Sequence, residues 1–202
     1  NKGLNVLFTE NLSKLKKFEG FQVVTNEEVL SAADLLISIG GDGTMLSSAR
    51  NFGSQGLPVL GVNLGNLGFL TDIAPSDLTL GLIEVISGKF IEDQRFFIKA
   101  SVNQGNNKQI ALNEIVLHSG TIAQLIEYEL FINEQFVYRQ KADGLIIATP
   151  TGSTAYSLSG GGPIVHPEVN SIIISPMFPH SLNARSLLVD KYSQISIKVL
   201  SS

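Results

Sequence analysis

The feature that most constrains the fold is a change of hydrophobic period close to Ile91. Before it, short apolar runs rich in branched residues alternate with segments of helical spacing. Residues 4–8, 21–24, 35–39 and 57–62 read as strands, and a helix is expected over 44–51. Ser76 or Asp77 caps a further helix carrying Leu78, Leu82, Ile83 and Ile86, which Gly88 stops. Such alternation places parallel strands in one sheet with helices crossing between them. After Ile91 the period is 2. Ile126, Tyr128, Leu130 and Ile132 alternate with Glu127, Glu129 and Phe131, and a turn at Asn133, Glu134 and Gln135 leads into Phe136, Val137 and Tyr138. Residues 96–102 and 110–117, separated by 104–107, repeat the hairpin pattern, and 172–174, 187–189 and 195–199 add strands. The expectation is an α/β domain over 1–90 with a Rossmann-like parallel sheet. An all-β antiparallel, sandwich-like domain follows over 91–202.

Composition narrows the functional classes. With 14 Lys+Arg against 18 Asp+Glu, net charge gives no support for nucleic-acid binding. No cysteine is present, which excludes disulfides, thiolate metal sites and cysteine nucleophiles and fits a reducing compartment. No stretch approaches the ~20 apolar residues of a membrane span, and Asn1, Lys2 and Gly3 do not open a signal peptide. A soluble, cytoplasmic protein is expected. The acceptor pattern Asn11-Leu12-Ser13 is then a chance match.

The chemistry concentrates in glycine-rich turns. Gly40-Gly41-Asp42-Gly43-Thr44 follows the strand at 35–39 directly, and the carboxyl end of such a strand is where open α/β sheets bind ligands. Glycines let backbone approach phosphate closely, and successive N–H groups cradle the anion. An aspartate there repels phosphate unless it takes a proton from an attacking hydroxyl or holds a metal ion. Phosphoryl transfer is one reading, and a glycine turn with a capping Asp is the other. A second glycine turn, with Asn63, Gly65, Gly68 and Phe69, lies at the same sheet end, where Phe69 either stacks on a base or packs in the core. Neither turn is a Rossmann fingerprint, since Leu46 stands where a third Gly is needed, and Phe90 after Lys89 excludes a Walker A sequence. Asn113-Glu114 is a polar pair between apolar residues, suited to ribose hydroxyls or an adenine amino group, or else an edge-strand pair. Residues 141–163 run from a buried strand into small hydroxyl residues, a helix start and three glycines. Pro150, Tyr156 and Leu158 argue against a linker there. His118, His166 and His180 are too dispersed for a metal set, and Thr151-Gly152-Ser153 lacks the second glycine of a hydrolase elbow.

Taken together and in this order, these motifs closely resemble the bacterial ATP-dependent NAD kinases (inorganic polyphosphate/ATP-NAD kinase), over residues 35–199. The resemblance implies transfer of the ATP γ-phosphoryl group to the 2′-hydroxyl of the adenosine ribose of NAD, with Mg²⁺, to give NADP. It implies an N-terminal α/β domain, a C-terminal β-sandwich-like domain and a site between them. Asp42 is then the general base, Gly43 approaches the dinucleotide through its backbone, and Phe69 lies beside adenine. Asn113 and Glu114 hold the dinucleotide, and Asp143 lies near its nicotinamide half. Thr154, Ala155, Tyr156, Ser157, Leu158 and Ser159 surround adenine and ribose. Lys141 stands where many relatives have Arg and meets phosphate without the bidentate fork. Gln124 and Phe178 fall at ligand-contacting positions. No residue is implied as a protein ligand to metal. Relatives are homo-oligomers, tetramers or dimers, with NAD sites completed by a neighbouring subunit; neither nucleic acid nor membrane is an expected partner. Family members continue past the end of this chain, with strands that return to the first domain, so the chain reads as a fragment truncated at its C-terminus. Two other readings stand beside this one: a lipid or sugar kinase sharing the Gly-Gly-Asp-Gly turn, and a nucleotide-binding sensor without turnover.

Overall fold

The computed structural model describes residues 3–9, 22–65, 68–71, 73–103, 105–106, 108–120, 124–181 and 183–201. The chain divides into two compact units, Asn1–Ile91 and Glu92–Ser202. Asn11-Leu12-Ser13, Phe21 and parts of two expected turns (Asn66, Leu67, Gln104, Asn107) lie outside the described residues.

In the first unit β1 (Phe8–Thr9) pairs in parallel with β2 (Val23–Val24), and β3 (Leu36–Gly40) pairs in parallel with β4 (Val59–Asn63). Residues 4–7, expected as strand, are not. A helix absent from the sequence reading, α1 (Asn26–Ala32), starts at a capping box: Glu28 N–H donates to Thr25 Oγ1 at 3.2 Å, and Thr25 N–H donates to Glu28 Oε2 at 2.8 Å. Its Val29 packs with Val24, Phe52 and Leu57. Helix α2 (Asp42–Asn51) begins two residues before the expected start, so Asp42 occupies its first turn instead of the loop. A carboxylate there complements the positive helix end. Helix α3 (Leu78–Ile86) follows a short 3₁₀ turn, with Asp77 at the N-cap making no side-chain bond, and ends before Gly88 at φ +78°.

The second unit is antiparallel throughout. Strands β5 (Ile98–Ser101) and β6 (Lys108–Ala111) form a hairpin. A four-stranded sheet has the order β12 (Leu187–Asp190), β11 (Ser171–Met177), β10 (Gly144–Ala148), β7 (Glu114–His118). A three-stranded sheet has the order β13 (Ile195–Ser201), β8 (Ile126–Ile132), β9 (Gln135–Ala142). The single strand expected over 110–117 is broken at Leu112 and Asn113, which separates β6 from β7. The turn between β8 and β9 contains two residues, Asn133 (φ +50°) and Glu134 (φ +66°), the conformation that matches strand twist in a tight hairpin; Gln135 already belongs to β9.

The two sheets pack face to face. Ile126, Tyr128 and Leu130 of β8 and Ala142 of β9 meet Leu145 and Ile174, all fully or nearly fully buried. On the opposite face of β10 and β11, Ile146, Ala148 and Ile173 pack with Val165 and Met177. Strands covered on both faces read as continuous apolar runs, which is why 145–148 and 172–174 show no alternation. Each buried aliphatic side chain contributes roughly 1.5–3 kcal/mol. Among the described residues no helix is long and apolar enough to cross a membrane.

Candidate functional site

The first unit builds its share around Asp42. Strand β3 delivers the chain to Gly41, whose extended backbone (φ −99°) caps α2. The half-buried carboxylate of Asp42 then accepts two main-chain N–H groups, Phe69 to Oδ2 at 3.0 Å and Leu70 to Oδ1 at 3.3 Å. The two glycine-rich turns are thereby joined through one side chain. Gly68 makes this possible, because a Cβ there would lie 2.1 Å from Asp42 Oδ1. Gly43 is exposed with open space where a Cβ would stand, so packing within the unit gives no reason for glycine. Phe69 is 73% exposed and is not a core residue.

In the second unit Asn113 stands at the bend between β6 and β7, and Glu114 opens β7, the edge strand of its sheet. Asn113 Oδ1 and Glu114 Oε2 are both buried without a hydrogen-bond partner. An unsatisfied buried acceptor costs on the order of 1–3 kcal/mol, so two neighbours left so are groups waiting for donors. Burial pushes the Glu114 carboxyl above the ordinary carboxylate range.

Glu114 pairs with Ala148 across the sheet, which brings it to the start of the segment after β10. That segment is clamped to its surroundings. Thr149 donates from N–H to Asn113 O at 2.8 Å and from its hydroxyl to Leu112 O, and Gly152 N–H donates back to Thr149 Oγ1 at 3.2 Å. Ser153 Oγ donates to Val165 O and accepts from Val165 N–H, each at 3.1 Å. Arg95 donates to Thr151 Oγ1 at 3.1 Å. Gly152 sits so close to Asn113 that a Cβ would lie 2.2 Å from its carbonyl oxygen. A 3₁₀ turn, Thr151–Thr154, and a one-turn helix, α4 (Tyr156–Ser159), follow. They fold back over the middle of β10, where a Cβ on Gly160 would touch Ile146. Ser157 Oγ is buried without a partner, whereas Tyr156, Leu158 and Ser159 are exposed and Thr154 and Ala155 half-buried.

Lys141, Asp143 and Phe178 gather at the opposite end of β10. Asp143 N–H donates to Met177 O at 3.0 Å, and His180 N–H donates to Lys141 O at 3.0 Å. Phe178 is 69% exposed and holds a left-handed φ of +43°. An open cavity of about 610 Å³ adjoins Lys141, lined also by Arg139, His180 and Arg185 and not by Asp143 or Phe178. Gln124 is exposed just before β8. The rise of β10 separates this group from Asn113 and Glu114 by roughly 13 Å. Sequence reasoning missed Arg95 altogether, and placed Gly68 in its turn without its contact to Asp42; nothing local to either residue signals its long-range contact.

A family model for the ATP-NAD kinase N-terminal domain matches residues 8–90, and one for the ATP-NAD kinase C-terminal domain matches 112–202. The chain is 45% identical over 199 residues to the NAD kinase of Pseudomonas entomophila strain L48, covering 97% of this chain and 67% of that relative. It is 48% identical over 200 residues to the NAD kinase of Chromohalobacter salexigens, covering 97% and 68%. The chain thus spans about two thirds of the length of these relatives. The structure superposes on yeast NADH kinase complexed with NADH with a TM-score of 0.85 at 33% identity, covering 97% of this chain and 63% of that one. An NAD kinase from Archaeoglobus fulgidus in complex with ATP gives 0.77 at 28% identity, covering 96% and 79%. A glycine-held aspartate in the first unit and orphaned acceptors beside a clamped hydroxyl-rich turn in the second fall within two matched domain models in succession, and the chain belongs to the NAD kinase family.

Proposed function

We propose that this chain phosphorylates the 2′-hydroxyl of the adenosine ribose of NAD, with ATP as donor, to form NADP. The observation that carries the reading is the Asp42 carboxylate fixed by the Phe69 and Leu70 N–H groups. Those bonds occupy one lone pair on each oxygen and leave the others to take a proton from a hydroxyl. Asp42 accepts the ribose proton as the 2′-oxygen bonds to the γ-phosphorus and the bond to the β,γ-bridging oxygen breaks, releasing ADP. A positioned base of this kind accelerates by roughly 10²–10⁴-fold.

The remaining residues bind and orient. Asn113 and Glu114 receive hydroxyl or amino donors of the dinucleotide, which satisfies the two orphaned oxygens. Gly43 lets main chain approach the ligand, and Phe69 offers an exposed ring to a base. Thr154, Ala155, Tyr156, Ser157, Leu158 and Ser159 enclose adenosine; Ser157 supplies a buried hydroxyl. Lys141 meets phosphate, with Asp143, Gln124 and Phe178 on the nicotinamide side. Among the described residues no group of three His, Cys, Asp or Glu could hold a metal. Mg²⁺ fits as an ion carried by the ATP phosphates, whose charge it would neutralise. A lipid acceptor, largely apolar, has little use for the Asn113–Glu114 acceptors.

A homo-dimer or tetramer in which one copy completes the site of another is part of this proposal. A cytoplasmic location belongs to the same proposal. The test is purified protein with NAD, ATP and Mg²⁺, NADP being followed with an NADP-specific dehydrogenase. Asp42→Asn is expected to abolish turnover and keep NAD binding; near-normal turnover in that variant removes the assigned role, and a wild type that binds NAD without making NADP points to a sensor.

A further inference from the structure

We infer that Arg95 is a positioning residue for dinucleotide binding, acting through the hydroxyl of Thr151; the inference rests on the proposed function. Arg95 lies in the irregular stretch between the first unit and β5, three residues before Ile98. Its side chain is only one quarter exposed, and its guanidinium is used twice. Nη1 donates to Thr151 Oγ1 at 3.1 Å, and Nη2 is paired with the Asp93 carboxylate. A planar guanidinium can serve a hydroxyl and a carboxylate at once in a fixed geometry, which an ammonium cannot.

Thr151 is the first residue of the 3₁₀ turn that leads into Tyr156, Ser157 and Leu158. Among the described residues, the other ties from this segment to the elements around it are made to main chain: Leu112 O, Asn113 O and the Val165 peptide. Those ties hold the segment in the fold without Arg95. What Arg95 adds is a side-chain contact, 56 positions away in sequence, that fixes the leading residue of the turn. Loss of that contact lets the turn pivot about its Ser153 clamp and displaces the downstream residues that enclose adenosine. Binding suffers more than folding.

The test compares wild type with Arg95→Ala, Arg95→Lys, Thr151→Val and the double variant Arg95→Ala/Thr151→Val. Arg95→Ala is expected to raise KM for NAD about tenfold, the scale of one partly exposed charge-assisted hydrogen bond, with kcat within about threefold. The thermal midpoint stays close to wild type. Arg95→Lys recovers part of the loss, and the double variant is no worse than the worse single. An unchanged KM in Arg95→Ala overturns the inference, and so do single effects that multiply, because Arg95 then acts elsewhere than through Thr151. Hydrogen exchange gives an arm independent of turnover. The Ser153 and Ala155 amides, bonded to Pro150 O and Gly152 O, exchange about tenfold faster in Arg95→Ala and in Thr151→Val, and unchanged protection refutes the tie. A wild type inactive on NAD with the exchange effect present defeats the functional reading alone; an active wild type without it defeats this inference alone.

Discussion

Replacing Gly68 with alanine separates the position of Asp42 from its chemistry. The new Cβ would lie 2.1 Å from Oδ1, 2.6 Å from Cγ and 2.8 Å from Oδ2 of Asp42. Carbon contacts settle near 3.5–4.0 Å, so the carboxylate has to withdraw by more than about 1 Å. Withdrawal lengthens the Phe69 and Leu70 bonds beyond hydrogen-bonding range, and water replaces them because the carboxylate is only half-buried. Folding stability therefore changes little. Misplacing a reacting group by about 1 Å costs on the order of 10²-fold in rate. Gly68→Ala is expected to lower kcat about 100-fold while calorimetry finds NAD affinity within about threefold of wild type. Since Asp42→Asn removes the proposed base itself, it must be at least as slow. A Gly68→Ala enzyme with kcat within about threefold of wild type refutes the link between this loop and the base.

Gly152→Ala forces a methyl group onto the Asn113 backbone at 2.2 Å, a clash no side-chain rotation relieves. Overpacking of this kind costs about 1–3 kcal/mol, and calorimetry should show a lower thermal midpoint together with weaker NAD binding. Glu134→Gly creates Asn-Gly in a turn where both residues have positive φ, which relieves about 1 kcal/mol and raises the midpoint. Glu114 carries a raised folded pKa from burial, so the folded protein holds that proton more tightly than the unfolded chain. Its burial weakens stability as pH rises from the ordinary value of 4.5 through the raised folded value, and the loss is complete above it. Glu114→Gln is expected to match wild type in thermal midpoint below that window, to exceed it at neutral pH, and to bind NAD more weakly; equal midpoints at both pH values would show that the carboxylate is not desolvated.

What the sequence made legible was local. The strand, glycine turn and helix of 36–51 declare themselves because pattern and geometry coincide within a few residues. The β8–β9 hairpin is equally readable from its alternation. The break at Leu112 and Asn113 was not, since apolar residues flank it on both sides and the contacts that hold the bend, with Thr149 and Gly152, are tertiary. Helix α1 buries one residue, Val29, too few for a helical stripe, although Thr25-Asn26-Glu27-Glu28 carries its capping signature. Chemistry split the same way. Asp42 is visible in its glycine turn, but the N–H groups that hold it come from 27 and 28 residues further on. Arg95 resembles any charged linker residue until the fold brings Thr151 to it.

The hydroxyl-rich segment after β10 is fastened mainly to carbonyl oxygens and amides, at Leu112, Asn113 and Val165. Such fastenings read the route of the polypeptide, not the identity of the side chains along it. Leu112 and Val165 are free to drift among apolar residues of similar size over evolutionary time without loosening this segment. Thr149, Gly152 and Ser153 have no such latitude.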